Sequence, residues 1–132
     1  MGRSSSQALG TKLLADTAEW PERWMGDEGD LPLGRAALAA MLPFLESLVA
    51  KEYAASTLRR HFGNAWLLGG EIIRSTFVNP SVRKLRGKKL LLAFVGEDGG
   101  PLLHGYATED EQNEFDATCR KLRRFLASKR SV

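Results

Sequence analysis

Apolar residues recur with helical spacing between about Leu33 and Glu52. The predicted buried face has the spacing i, i+4, i+7, i+8 and i+11, and consists of Ala37, Met41, Phe44, Leu45 and Leu48. This spacing is typical of one side of an α-helix. Pro43 lies inside the pattern and removes one helical hydrogen bond, so we expect a kink or a break at this point.

A second helix is predicted from Ser56 or Thr57, either of which is a good N-cap residue, to about Phe77. Its apolar stripe consists of Leu58, Phe62, Ala65, Gly69, Ile72 and Ile73. The pair Gly69-Gly70 costs about 1 kcal/mol per glycine relative to alanine in a helix interior. Such a pair indicates either close approach of another helix or a bend.

The last helix is predicted from its capping sequence. Thr108 is followed three residues later by Glu111, which is the pattern of a capping box. The predicted buried face consists of Phe115, Cys119, Leu122, Phe125 and Leu126, with Thr118 on the same side. Acidic residues in the first turn and basic residues in the last turns both complement the helix dipole.

The stretch between these helices permits two interpretations. A basic run over 82–89 precedes the apolar run 90–95, a glycine-rich turn over 96–100, and an apolar return to Tyr106. A β-hairpin over 89–106 is one interpretation. We favour a short helix, because Val95 is the only β-branched residue of the apolar run and leucine, alanine and lysine are helix formers.

The chain is therefore predicted to be all-α, a small four-helix-type bundle over 31–129. Residues 1–30 are expected to be a flexible acidic leader with a short helix over about 13–24. Trp20 and Trp24 lie four residues apart, on one helical face. They are interpreted as packing onto the domain; the alternative is that they dock a protein partner.

Composition limits the chemistry that the chain can carry. It has 132 residues and one cysteine, which fits one domain and excludes a disulfide framework or a multi-cysteine zinc site. His61, His104 and Cys119 share no ligand spacing. We therefore expect no metal, no cofactor and no catalytic residue, and so a protein that is not an enzyme. No signal peptide is visible and the apolar runs are short for a membrane span, which predicts a cytoplasmic protein.

Charge suggests an acidic partner. Residues 1–50 carry a net charge of −3 and residues 51–132 carry +6, and nucleic acid is the common partner of such a basic region. The basic residues that we predict as phosphate contacts occupy three places: Arg59, Arg60, Arg83, Lys84, Arg86, Lys88, Lys89, Arg120, Lys121 and Arg124. A bundle could bring them onto one surface. The alternatives are a solvated face and a protein-interaction module that acts as an adaptor or inhibitor.

The order of segments resembles a known domain. The run Ala54-Ala55-Ser56-Thr57-Leu58-Arg59-Arg60-His61-Phe62 opens one helix, and Cys119-Arg120-Lys121-Leu122-Arg123-Arg124-Phe125-Leu126 ends the last. Over about 34–128 this is similar to the N-terminal core-binding, SAM-like domain of tyrosine recombinases, the phage integrase family. That family's domain clamps duplex DNA, largely through backbone contacts.

The resemblance implies a set of DNA-binding positions on two helices: Ser56, Thr57, Arg59, Arg60, Arg120, Lys121, Arg123 and Arg124. It implies no catalysis, because the family's catalytic domain has a His-x-x-Arg box and a nucleophilic tyrosine. Here His61 is followed by Asn64 and His104 by Ala107, and the chain ends at Val132. The expectation is a DNA-binding module without a catalytic domain, an accessory of recombination or of a mobile element.

Overall fold

The computed structural model describes residues 2–105 and 107–128. The α-helices are α1 (Gly2–Asp16), α2 (Trp20–Trp24), α3 (Leu31–Ala50), α4 (Ala55–Ser75), α5 (Gly87–Leu92) and α6 (Glu109–Ser128). Short 3₁₀ helices lie at Thr17–Glu19, Glu28–Asp30 and Pro80–Lys84. No strand occurs within the described ranges, which confirms the predicted all-α bundle. The hairpin interpretation of 89–106 gives way to the favoured short helix, α5.

Helices α3, α4 and α6 form the centre of the bundle, and α5 packs on α3. α4 and α6 run antiparallel, because His61 contacts Thr118 while Asn64, later in α4, contacts Glu114, earlier in α6. Most of the largest fully buried side chains come from the predicted stripes and from the run before Gly96: Met41, Phe44, Leu45, Leu48, Leu58, Ile72, Leu90, Leu91, Val95 and Phe115. Leu33 and Leu68 are equally buried and were not included in the predicted stripes.

α3 continues through Pro43, so the predicted break does not occur. Pro43 and Ala39, whose carbonyl loses its helical partner, both lie on the exposed side, where water can take the place of the missing donor. The stretch Glu28–Ala50 is also long and apolar enough to cross a membrane by length and composition. Its buried side is the one that packs into the bundle core.

α4 begins at Ala55, earlier than predicted. Its N-cap residue is Ala54, which cannot supply a side-chain cap. The prediction of Ser56 or Thr57 as N-cap was therefore wrong, because the short connection after α3 lets the helix start two to three residues sooner. The predicted capping box of the last helix is confirmed: Glu111 accepts from the Thr108 backbone N–H at 2.8 Å, and Thr108 Oγ1 accepts from the Glu111 N–H at 3.1 Å.

The first thirty residues are expected to be a flexible leader, whereas the structure packs α1 and α2 against α3 and α4. Trp24 is 8% exposed, and its indole Nε1–H donates to the Trp66 carbonyl at 2.9 Å. The ring of Trp24 lies directly on Gly69, where an added Cβ would overlap it. The glycine pair of α4 thus permits close approach of α2, as its position in the stripe predicts.

Side chains of α4 and α6 hold the loop after α5 in place. Asp116 Oδ1 accepts from the Gly100 N–H at 3.0 Å, and Gln112 Oε1 accepts from the Leu103 N–H at 2.9 Å. Glu71 Oε2 accepts from the His104 N–H at 3.0 Å. The loop, which has little regular structure, is therefore fixed against the bundle by polar contacts.

Candidate nucleic-acid interface

A groove lies between the C-terminal ends of α3 and α6. Its volume is about 280 Å³, and it is lined by Phe44, Ser47, Lys51, Lys121, Arg124, Phe125 and Ser128. We call it the α3–α6 groove. Phe44 is fully buried, and its ring meets that of Phe125 edge-on with centroids 5.6 Å apart. The groove thus has an aromatic base, two hydroxyl groups and three cationic side chains.

Phe125 corrects one core prediction. Phe62 is 2% exposed, as predicted, but Phe125 is only half-buried. Phe125 stands at the edge of the α6 stripe, so its ring turns toward the groove and away from the centre of the bundle. The same rotation places Lys121 and Arg124 on the groove side of α6.

The three cationic side chains of the groove differ in the contacts that they make. The Lys121 ammonium lies 5.5 Å from the centre of the Tyr53 ring, a cation–π contact. Lys51 and Arg124 form no ion pair with any residue that the structure describes. Their charges are available to a ligand.

The positive surface continues to the start of α4 through Arg60. The guanidinium of Arg60 lies 3.9 Å from a Glu114 carboxylate oxygen, and both side chains are about half-exposed. An exposed pair at this distance holds its members weakly. Arg60 is therefore able to exchange Glu114 for another anion.

A buried polar network lies beneath this surface. Thr118 Oγ1 accepts from the Asn64 Nδ2–H at 2.9 Å and shares a second hydrogen bond of 2.9 Å with His61 Nδ1. Burial lowers the pKa of His61, and the positive charges of Lys121 and Arg60 lower it further. His61 is therefore neutral at pH 7, and its role is to fix α4 against α6.

Four of the other predicted arginines donate to the chain itself. Arg83 pairs with Asp30 Oδ1 at 3.0 Å and also donates to the Gly29 carbonyl at 3.0 Å. Arg86 donates to the carbonyls of Arg83 and Leu85. Arg120 and Arg123 donate to the carbonyls of Asp98 and Val95, each at 3.0 Å. These four side chains stabilise turns and loops of the fold.

The remaining candidates lie on other parts of the surface. Arg59 is exposed and lines a separate concavity with Trp20, Phe62 and Trp66. Lys84, Lys88 and Lys89 are exposed beyond the far end of α4. Arg60 lies about 22 Å along the α4 axis from the helix end at Ser75. The basic residues at the start of α4 and those that follow its end thus lie at opposite ends of this helix.

Ser56 and Thr57 lie in the first turn of α4. Ser56 is exposed and Thr57 is half-buried. Because Ala54 supplies no side-chain cap, the N–H groups of this first turn have no side-chain acceptor among the described residues. Tyr53, which contacts Lys121, immediately precedes this turn, so these N–H groups lie beside the cationic surface.

Three of the residues that line the groove were not predicted from the sequence: Ser47, Lys51 and Ser128. Each is a single polar residue in or after a helix, and no local pattern distinguishes it. Their association depends on the packing of α3 beside α6, which the separate helical stripes do not specify.

Other reactive groups lie away from the groove. Burial, together with the nearby carboxylate of Asp116, raises the pKa of the Cys119 thiol to about 12, so the thiol stays protonated. Trp24 is held in the core, and Trp20 stacks obliquely on it with centroids 5.7 Å apart. Among the described residues no group of three or more histidine, cysteine or carboxylate side chains is placed to hold a metal ion.

The groove brings three cationic side chains together, an arrangement that suits binding of an anion. Comparisons with protein-family models, with curated proteins and with solved structures found no match to this chain.

Proposed function

We propose that the protein is a non-catalytic DNA-binding module that holds duplex DNA through its phosphates. The observation that carries the proposal is the α3–α6 groove, where Lys51, Lys121 and Arg124 converge from two helices. Phosphate contacts of this kind come from lysine and arginine, from serine hydroxyls and from backbone N–H groups, and they fix a protein on the duplex without reading its sequence.

The surroundings of the groove support the same ligand. The uncapped first turn of α4 offers N–H groups nearby, whereas the hydroxyls of Ser47 and Ser128 donate to the carbonyls of Phe44 and Phe125. Free N–H groups at a helix start favour phosphate, because they coincide with the positive end of the helix dipole. Several cations together with free N–H groups suit a row of backbone phosphates better than a single small anion.

The resemblance to the core-binding domain of tyrosine recombinases supports a finer proposal, that the module acts as an accessory of recombination or of a mobile element. That resemblance extends to Arg60, Lys121 and Arg124, which line or adjoin the groove. A protein-docking module is the alternative function. It predicts no affinity for duplex DNA at low salt.

A salt-dependent titration with a fluorescently labelled duplex tests the proposal. The affinity of the wild type should fall steeply with salt, because each neutralised phosphate releases about 0.9 counterion on B-DNA. The variant Lys51→Ala/Arg124→Ala should bind all sequences more weakly by similar factors. Its salt slope should be smaller by about two, one unit for each lost phosphate contact.

Lys12→Ala/Arg23→Ala is the matched control. It removes the same net charge from α1 and α2, where both cations are exposed and paired with Asp16 and Glu19. Its salt slope should match the wild type. Absence of binding at about 50 mM salt, where such contacts are strong, would refute the proposal. Equal slopes for the two double variants would show that the groove is not the contact surface.

A further inference from the structure

Two adjacent apolar side chains project from the turn after α4. Phe77 is 87% exposed and Val78 is 91% exposed, although large apolar residues are usually at least partly covered. The turn itself is well ordered by hydrogen bonds, since the Phe77 N–H donates to the Arg74 carbonyl at 3.2 Å and the Asn79 N–H donates to the Ser75 carbonyl at 2.9 Å. Buried Thr76 anchors its base. We call Phe77 and Val78 the apolar prong.

The prong lies within the most positively charged segment of the chain. Residues 72–96 contain no acidic residue, and they contain six basic ones: Arg74, Arg83, Lys84, Arg86, Lys88 and Lys89. The Arg83 guanidinium lies 3.4 Å from Thr76 Oγ1, so this charge reaches the base of the prong. A partner of the prong must therefore combine negative charge with an apolar place for a phenyl ring.

We infer that the prong is a DNA wedge: Phe77 enters the minor groove between two base pairs, and the exposed side chains of Arg74, Lys84 and Lys89 hold the flanking phosphates. Apolar side chains inserted in this way unstack a base step and bend the duplex. This inference rests on the proposed function. It adds a second contact to the phosphate contact at the α3–α6 groove and a consequence for the shape of the DNA.

The length of α4 allows one duplex to contact both the α3–α6 groove and the apolar prong. The uncapped turn at Ser56 and the prong at Phe77 are separated by about 30 Å along the helix axis. One helical turn of B-DNA is about 34 Å long. A duplex lying along the bundle would thus present its phosphates to the groove at one point and a minor groove to the prong about one turn away.

An anionic membrane is the other partner with suitable chemistry, and the geometry favours it less. Arg83 joins the base of the prong to the Gly29 carbonyl, which places the acidic turn of Asp27 and Glu28 beside it. Both of these carboxylate residues are exposed. A bilayer is a plane that would face the whole end of the bundle, including these carboxylates, whereas a duplex is a narrow rod that meets the prong and its neighbouring cations without covering the whole end.

Ligase-mediated circle formation tests the inference. A linear fragment of about 120 base pairs is shorter than the persistence length of DNA, so it closes into circles efficiently only when a protein bends it. The wild type should increase the yield of small circles. Phe77→Ser/Val78→Ser should abolish this increase and bind duplex about ten- to a hundred-fold more weakly, because the apolar contact is lost. Its salt slope should equal that of the wild type.

Leu102→Ser is the matched control, because Leu102 is 81% exposed in the loop before α6. It should bend and bind DNA like the wild type. If the prong variant forms circles as well as the wild type while Lys51→Ala/Arg124→Ala still lowers the salt slope, the wedge is refuted and the proposed function stands. If neither variant changes DNA binding, both fail.

Sedimentation with vesicles containing about a third phosphatidylserine tests the membrane alternative. The wild type should stay in the supernatant. Binding to these vesicles that the prong substitutions remove would overturn the wedge in favour of a membrane contact. Light scattering of both proteins addresses a second copy of the chain as the partner: a wild-type dimer that the prong variant loses would overturn the wedge in favour of self-association.

Discussion

Replacement of Gly69 by alanine tests how α2 is joined to the bundle. At this position an added Cβ would overlap the indole of Trp24, which is buried and hydrogen-bonded to the Trp66 carbonyl. The atoms that the Cβ would meet belong to a buried aromatic ring and not to the end of a flexible side chain. We therefore expect Gly69→Ala to destabilise the fold, although alanine is the better helix former.

The expected magnitude combines three contributions. Overpacking costs about 1–3 kcal/mol, and displacement of the indole loses a hydrogen bond of about 0.5–1.5 kcal/mol. Higher helix propensity returns about 1 kcal/mol. The net loss is about 2 kcal/mol in the free energy of unfolding, which lowers the urea midpoint by roughly 1 M for a slope of about 2 kcal/mol per molar.

The same helix supplies two controls. An added Cβ at Gly63 meets no described atom within 4 Å, and at Gly70 it meets only Trp24 Cδ1 at 3.8 Å, an ordinary contact. Both Gly63→Ala and Gly70→Ala should stabilise the protein, by about 0.5–1 kcal/mol. Urea unfolding followed by far-UV circular dichroism gives all three values under the same conditions.

A double-mutant cycle with Trp24→Leu isolates the cause. With the indole removed, Gly69→Ala should become neutral or stabilising, so the interaction energy between the two sites should be about 2 kcal/mol or more. A Gly69→Ala protein as stable as Gly63→Ala would refute the packing of Trp24 on α4. An equal destabilisation in the Trp24→Leu background would assign the loss to another neighbour.

Two further predictions concern stability. Phe62→Ala should lower the free energy of unfolding by about 3–5 kcal/mol, whereas Phe125→Ala should cost clearly less because its ring is half-buried at the α3–α6 groove; equal losses in thermal unfolding would contradict this difference. The second of these predictions concerns the pH dependence that Asp30 gives to the stability. Burial alone would raise the pKa of the Asp30 carboxyl. Hydrogen bonds from the Gly26 and Asp27 backbone and from Arg83 outweigh burial and lower this pKa. The ionised carboxylate therefore stabilises the fold above the ordinary aspartate pKa of about 3.9, and this contribution is lost as the pH falls through the lower folded value. The stability difference between wild type and Asp30→Asn in urea should be constant from about pH 5 to 7 and shrink below about pH 4, and a difference that does not change with pH would contradict the pairing.

The helices that the sequence reveals are those with a strong local pattern. The stripes of α3 and α4 and the capping box before α6 are all read within a few turns of chain, and the apolar run at Leu90 becomes α5 because leucine and lysine favour a helix. α1 was harder to predict, because glycine and serine residues interrupt its apolar positions. Gly69-Gly70 predicts a close contact, but the identity of the contacting ring depends on tertiary packing.

The candidate site was harder to predict from the sequence than the fold, because it lies between helices that are distant along the chain. Lys51 ends α3, and Lys121 and Arg124 lie in the last turns of α6, so their convergence follows from the packing of α3 beside α6. Lys121 and Arg124 were included among the predicted contacts through their charge and the resemblance. Lys51 was missed because a single lysine after a helix has many possible surroundings.

Some basic side chains stabilise the fold and others can contact a ligand. For binding, the number of the second kind matters more than the total number of basic residues. Arg83 reaches three acceptors of its own chain and Arg86 reaches two, which suits the planar, forked guanidinium better than a lysine ammonium. Lysines behave differently: the side chains of Lys51 and Lys121 at the α3–α6 groove, and of Lys84 and Lys89 after α4, donate to no carbonyl of a described residue. A count of basic residues therefore overstates the surface that an anion meets. The useful quantity is the number of cations that the fold leaves unneutralised on one face, and the salt slope of DNA binding measures it.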